Sequence, residues 1–128
     1  MFSVAIRPLI DEDAHNGMKN PTLIHLVAVG GDYEKPNESK GTAAYSTDGG
    51  KTWTAATVPP HGYRSAVAWD KADRAWIAVG TNGSDYSRDD GKTWHPLDNG
   101  EWNALSLPYV VGPKGRIAKL ADNGIPSK

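Results

Sequence analysis

The chain has 128 residues, a length suited to one domain, and 23 of them are glycine or proline; that is about 18% against an average near 12%, a composition that argues against long helices. Fourteen basic residues face fifteen acidic ones for a net charge of −1, which excludes a polycationic footprint for nucleic acid or an anionic membrane. With no cysteine, disulfides, thiolate nucleophiles and cysteine-held zinc are excluded as well.

In chain order, residues 2–6 form the first short apolar run, and 23–30, 42–46 and 52–57 follow as three more. The longest apolar stretch, around 23–29, is far short of the roughly 18 residues that a membrane span needs. The first ten residues lack a basic n-region and a long apolar h-region, so no signal peptide is expected in this chain, and the compartment stays open. Runs at 63–69 and 75–80, rich in Val, Ile, Ala and Trp, are divided by the polar turn Asp70-Lys71-Ala72-Asp73. Half-buried strands at 84–87 and 93–97 come next, then strands at 103–107, 109–112 and 116–120, eleven in all.

A repeat organises these runs. Ser46-Thr47-Asp48-Gly49-Gly50-Lys51-Thr52-Trp53 recurs 41 residues later as Ser87-Arg88-Asp89-Asp90-Gly91-Lys92-Thr93-Trp94, with six identities in eight positions. Ala28-Val29-Gly30 recurs as Ala78-Val79-Gly80, with an echo at Val110-Val111-Gly112. Four short antiparallel strands in about 41 residues make one blade of a β-propeller. The fold class expected is therefore all-β: one partial propeller over residues 1–128, with blade one near 2–58, blade two near 62–98 and an incomplete blade three near 102–122.

The octapeptides match the Asp-box, S-x-D-x-G-x-x-W. Ser46 and Asp48, like Ser87 and Asp89, can accept hydrogen bonds from the N–H groups of their own turn. Gly50 and Gly91 supply a positive φ without steric cost, and Trp53 and Trp94 pack beneath their turns. The two aspartates therefore read as turn staples rather than catalytic acids.

With these motifs the chain resembles the Asp-box β-propellers of the photosystem II stability/assembly factor-like family. The resemblance rests on Phe2-Ser3-Val4-Ala5, Val27-Ala28-Val29-Gly30-Gly31-Asp32-Tyr33, Gly62-Tyr63-Arg64-Ser65-Ala66-Val67 and Gly83-Ser84-Asp85-Tyr86-Ser87-Arg88-Asp89-Asp90-Gly91, and continues through 102–106 and 111–120. It implies a propeller of about seven blades, of which this chain looks like the C-terminal two to three. Fewer blades than a ring needs would leave a sheet face open at each end. Self-association is one remedy, with two chains of three blades closing a six-bladed ring; docking onto other propeller blades is a second, and an unstable partial product is a third.

Blade topology sorts the loops. Asp-box turns share one face of the propeller with the turns between first and second strands, and the opposite face carries the second-to-third loops and the connections between blades. On that second face the sequence places Asp32, Tyr33, Arg64, Asn82, Glu101, Trp102, Asn103, Lys114 and Arg116, a polar and aromatic mixture suited to a binding mouth. The loop at 31–41 reads as a contact loop or as a solvated insertion. Arg64, at the entry to an innermost strand, would meet a carboxylate or phosphate in the channel, or be satisfied by an acidic neighbour such as Asp32 or Glu101. Trp102 reads as the aromatic best placed for function.

Metal is not expected: His15, His25, His61 and His95 lack ligand spacing, and the acid run Asp11-Glu12-Asp13 reads as a solvated loop. No cofactor is implied. Hydrolase chemistry is the competing class, because Asp-boxes occur in sialidases; those enzymes use three clustered arginines, a tyrosine nucleophile with a glutamate, and an aspartic acid. Here Arg74 and Arg88 fall on Asp-box-side turns, and only Asp32 and Glu101 are placed as a carboxylate pair. The function expected is a non-enzymatic binding or scaffold module for a protein or small ligand, with a glycan-binding or sialidase-like fragment as the alternative.

Overall fold

The computed structural model describes residues 2–7, 24–32 and 34–120. The described residues form eleven strands in three antiparallel sheets and almost no helix. Sheet one holds β1 (Phe2–Ile6), β2 (Leu26–Gly30), β3 (Ala43–Ser46) and β4 (Thr54–Ala55), in that order. Sheet two holds β5 (Ala66–Asp70), β6 (Ala75–Gly80), β7 (Gly83–Ser87) and β8 (His95–Asp98), and sheet three holds β9 (Ala104–Ser106), β10 (Tyr109–Gly112) and β11 (Arg116–Lys119). Each sheet is an up-and-down meander, the form of a propeller blade, and the three do not close on themselves.

The strand pairings put the blades in common register. Val4 pairs with Ala28, Val67 with Ala78 and Leu105 with Val110, so these pairs occupy one position in successive blades. On the neighbouring row, Val29 pairs with Ala43, Val79 with Ser84 and Val111 with Ile117. Alternate side chains point to opposite faces of a strand. Each blade accordingly has a front face, which includes the first set, and a back face, which includes the second.

The core lies between blades. Val27, Val29 and Ala43 of blade one pack against Val67, Trp76, Ala78 and Trp94 of blade two. Trp69 meets Trp76 edge-on with centroids 5.3 Å apart, a preferred arrangement for aromatic pairs. Ile77, Val79 and Tyr86 of blade two meet Leu105, Val110 and Ala118 of blade three, with Trp102 between them. Burying one large apolar side chain is worth roughly 1.5–3 kcal/mol, so these two seams hold the chain together.

Most boundaries shift by one to three residues from the sequence reading, β2 for example starting at Leu26 rather than 23. β4 shrinks to two residues. β5 starts at Ala66 rather than 63, because the backbone of 63 and 64 is used to join blades: Tyr63 N–H donates to the Pro36 carbonyl and Arg64 N–H to that of Gly30. β8 starts at His95 rather than 93, because Trp94 N–H donates to the Val58 carbonyl of blade one and Thr93 bridges Val58 in parallel.

The Asp-boxes repeat atom for atom. Gly50 N–H donates to Ser46 Oγ at 2.9 Å, as Gly91 N–H does to Ser87 Oγ at 2.9 Å. Thr52 N–H and hydroxyl donate to the two Asp48 oxygens at 3.0 and 2.6 Å; Thr93 does the same to Asp89 at 2.9 and 2.5 Å. Gly50 and Gly91 have φ of 95° and 89°, where a side chain is strained. Each indole Nε1–H donates back to a glycine carbonyl, Trp53 to Gly50 and Trp94 to Gly91. Hydrogen bonds from the Thr52 hydroxyl, the Thr52 backbone and Ser46 hold the Asp48 carboxyl far below the usual carboxylate range. At Asp89 burial pushes the pKa up, but hydrogen bonds from Thr93 and Ser87 outweigh it and the net direction is down. Both aspartates are ionised turn staples.

Candidate functional site

The loop-rich face is organised by one buried cation. Arg64 stands in the connector entering β5 and is 0% exposed. Its Nε donates to Asp85 Oδ1 at 2.7 Å, and Nη2 lies 2.6 Å from the same oxygen. Nη1 donates to the Tyr63 carbonyl at 2.7 Å and to Asn82 Oδ1 at 2.6 Å. His61 completes the cluster, with Nδ1 2.8 Å from Asp85 Oδ2 and backbone N–H 3.3 Å from both carboxylate oxygens. With the ring hydrogen on Nδ1, Nε2 accepts from Arg64 Nη2 at 3.2 Å. Burial pulls the guanidinium below its ordinary pKa, opposed by the charge and hydrogen bond of Asp85. Removing one partner of such a pair strands a buried charge.

The acidic neighbour of Arg64 is thus Asp85 on β7, not Asp32 or Glu101, and the guanidinium does not line an open channel. Gly80 makes the arrangement possible, since a Cβ there would lie 2.2 Å from the Tyr63 carbonyl oxygen and 3.1 Å from Arg64 Cα. The cluster ties loops together: Asn82 Nδ2 donates to Asn37 Oδ1 at 2.8 Å, which clips the 31–41 loop of blade one onto the β6–β7 turn. Ser65 Oγ donates to the Asn103 carbonyl at 2.9 Å and Trp102 N–H to Gly80 at 2.9 Å, which draws in the entry to blade three.

The remaining site residues divide by exposure. Asp32 is exposed and accepts from Glu34 N–H at 2.9 Å; Glu101, Asn103, Lys114 and Arg116 are exposed as well. Lys114 sits at φ 61° within the 3-10 turn Pro113–Gly115. Trp102 is buried rather than presented: its Nε1–H donates to Asp98 at 3.1 Å and the Arg116 guanidinium covers its ring at 4.7 Å. The reason is its place between blades two and three, beside a cavity of about 250 Å³ lined by Ile77, Leu97, Val110 and Ala118. Tyr33, His15 and the acid run 11–13 lie outside the described residues.

His25 belongs to the other face, with Nδ1 3.6 Å from Asp90 of the second Asp-box, which Arg7 also approaches at 4.0 Å. Among the described residues no group of three His, Cys, Asp or Glu is placed to hold a metal, and no helix is long and apolar enough to cross a membrane. Asp85, His61 and Asn37 were missed as site-organising residues. The available signal was an acid in the middle of a strand whose neighbours are all buried; its partner stands 21 positions away across the blade, a pairing that local periodicity does not encode.

Comparison with known proteins agrees with the repeat. The BNR/Asp-box repeat model matches residues 44–55 and 85–96, the two hairpins whose hydrogen bonds coincide. No curated protein and no solved structure matches the chain.

Proposed function

We propose that the chain is a non-enzymatic β-propeller binding module, of the kind the photosystem II assembly factor-like resemblance implies, that captures a protein or small ligand on its loop-rich face. The observation that supports it most is the Arg64–Asp85–His61–Asn82 cluster. A fully buried, fully partnered guanidinium is a device for holding loops, and the loops gathered around it carry Asp32, Glu101 and Asn103 toward solvent, with Arg116 close by over the Trp102 ring. A rigid frame under polar loops lowers the ordering cost of binding. Association of the open end blades with further blades is part of the same reading.

The test is cross-linked capture with the full chain and with Lys114→Glu/Arg116→Glu, read beside a panel of fluorogenic sialosides and glycosides. Capture that the double variant loses, without turnover, supports the module. The Asp-box match also favours a second reading, a glycan-binding or sialidase-like fragment; turnover abolished by Glu101→Gln would establish it and remove the first.

A further inference from the structure

The buried seams show what each blade face requires. Between blades one and two, the back positions Val27, Val29 and Ala43 are covered by the front positions Val67, Trp69, Trp76, Ala78 and Trp94. Common register carries the back positions to Tyr109, Val111 and Ile117 in blade three, and the front positions to Val4, Ile6, Leu26, Ala28 and Trp53 in blade one. Among the described residues neither of these two sets has a blade against it. Of the seven large apolar side chains that are exposed among the described residues, six are Val4, Ile6, Trp53, Tyr109, Val111 and Ile117. Val4 is 60% and Ile117 70% exposed, while their counterparts Val67 and Ser84 are buried. Beside Trp53 the front face also carries a groove of about 210 Å³ lined by Ala28, Ala44 and Ala55. The chain therefore displays both halves of one seam, a front without a back and a back without a front.

We infer that these two faces are a docking surface for a second copy of this chain, joined head to tail. The front of blade one in one copy packs on the back of blade three in the other, and Trp53 takes there the place that Trp94 takes on blade one. Because each copy offers one of each face, two such seams close a pair of three-blade chains into six blades, within the four to eight that propellers use. The choice of a second copy rests on the matching register of the two faces, since a partner of unrelated shape would not need that correspondence. This deepens the self-association part of the proposed function and does not depend on what the loop-rich face binds.

The experiment is the solution mass of the full chain by light scattering over a range of concentration, with Val4→Asp and Ile117→Asp, two exposed positions where an acid leaves the fold intact. Wild type is expected at twice the chain mass. Each variant is expected as a monomer, with its dissociation constant raised at least about tenfold, the effect of 1.4 kcal/mol. An equimolar mixture of the two variants is expected to restore a dimer through the one undamaged seam, which only head-to-tail pairing allows. A wild-type monomer at every concentration overturns the proposal, as does a dimer that both substitutions leave unchanged or a mixture that stays monomeric. Capture on the loop-rich face, measured with the same variants, reports separately on the binding function.

Discussion

Trp53 and Trp94 stand at the same place in two hairpins whose hydrogen bonds agree within about 0.2 Å, yet Trp53 is 43% exposed and Trp94 2%. The turn is written by its own eight residues: the serine, aspartate, glycine and threonine satisfy one another whatever surrounds them. Burial of the indole is written by the preceding blade, which Trp94 has in Val27, Val29 and Ala43 and Trp53 lacks. Local sequence thus makes a blade, and adjacency makes a core.

Truncating the two indoles should separate the two hairpins most. Trp94→Ala is expected to cost about 3–5 kcal/mol, the usual range for a buried tryptophan. Trp53→Ala is expected to cost less than about 1 kcal/mol, as for a surface substitution, at concentrations where the chain is monomeric. Urea unfolding of the two variants checks this, and equal losses would break the distinction.

Arg64→Ala is expected to destabilise by about 3–5 kcal/mol by leaving the buried Asp85 without its guanidinium partner. Arg64→Met combined with Asp85→Asn should cost less than the sum of the single changes, and a double-mutant cycle reads the coupling. That loss belongs to the loop-rich frame of blade two, for which blade one shows no counterpart: Ala44 stands where Asp85 does.

Glycine substitution sharpens the contrast further. Gly91→Ala and Gly50→Ala share the same backbone strain, about 1–2 kcal/mol. Gly91→Ala adds a Cβ 2.9 Å from Val27 Cγ2 of the neighbouring blade, whereas at Gly50 the nearest atom is Leu26 Cδ1 at 3.2 Å. The Gly91 variant should therefore lose more, and thermal melts of the two compare them directly.

The smallest effect is on pH dependence, where the boxes should behave alike. Both aspartates have folded pKa values depressed by their own turns. Their contribution is present above the unfolded value of about 3.9 and is lost as pH falls from there through the folded value. Asp48→Asn and Asp89→Asn should each lower the urea midpoint at pH 7, with the deficit shrinking below about pH 4.

Much of the fold was legible because its signals are local. All eleven strands and both hairpins follow from alternation, turn residues and the octapeptide repeat, each of which spans fewer than ten residues. The site was legible only in part. Asn82, Asn103 and Arg116 fall on the expected face because blade topology assigns loops to faces. The acid that Arg64 meets was not, because Asp85 reaches it by the stacking of blade connectors, a distance in sequence that no pattern carries. Trp102, the aromatic that the sequence places best for function, is buried because its N–H donates to the Gly80 carbonyl at the entry to blade three.

Whether a neighbouring blade or the Asp-box itself decides burial is read by labelling the monomeric Ile117→Asp variant with 5-fluorotryptophan, assigning positions 53 and 94 by single substitution, and measuring their fluorine solvent-isotope shifts. A clear shift is expected at 53 and none at 94. Equal shifts at the two positions would contradict control by the neighbouring blade.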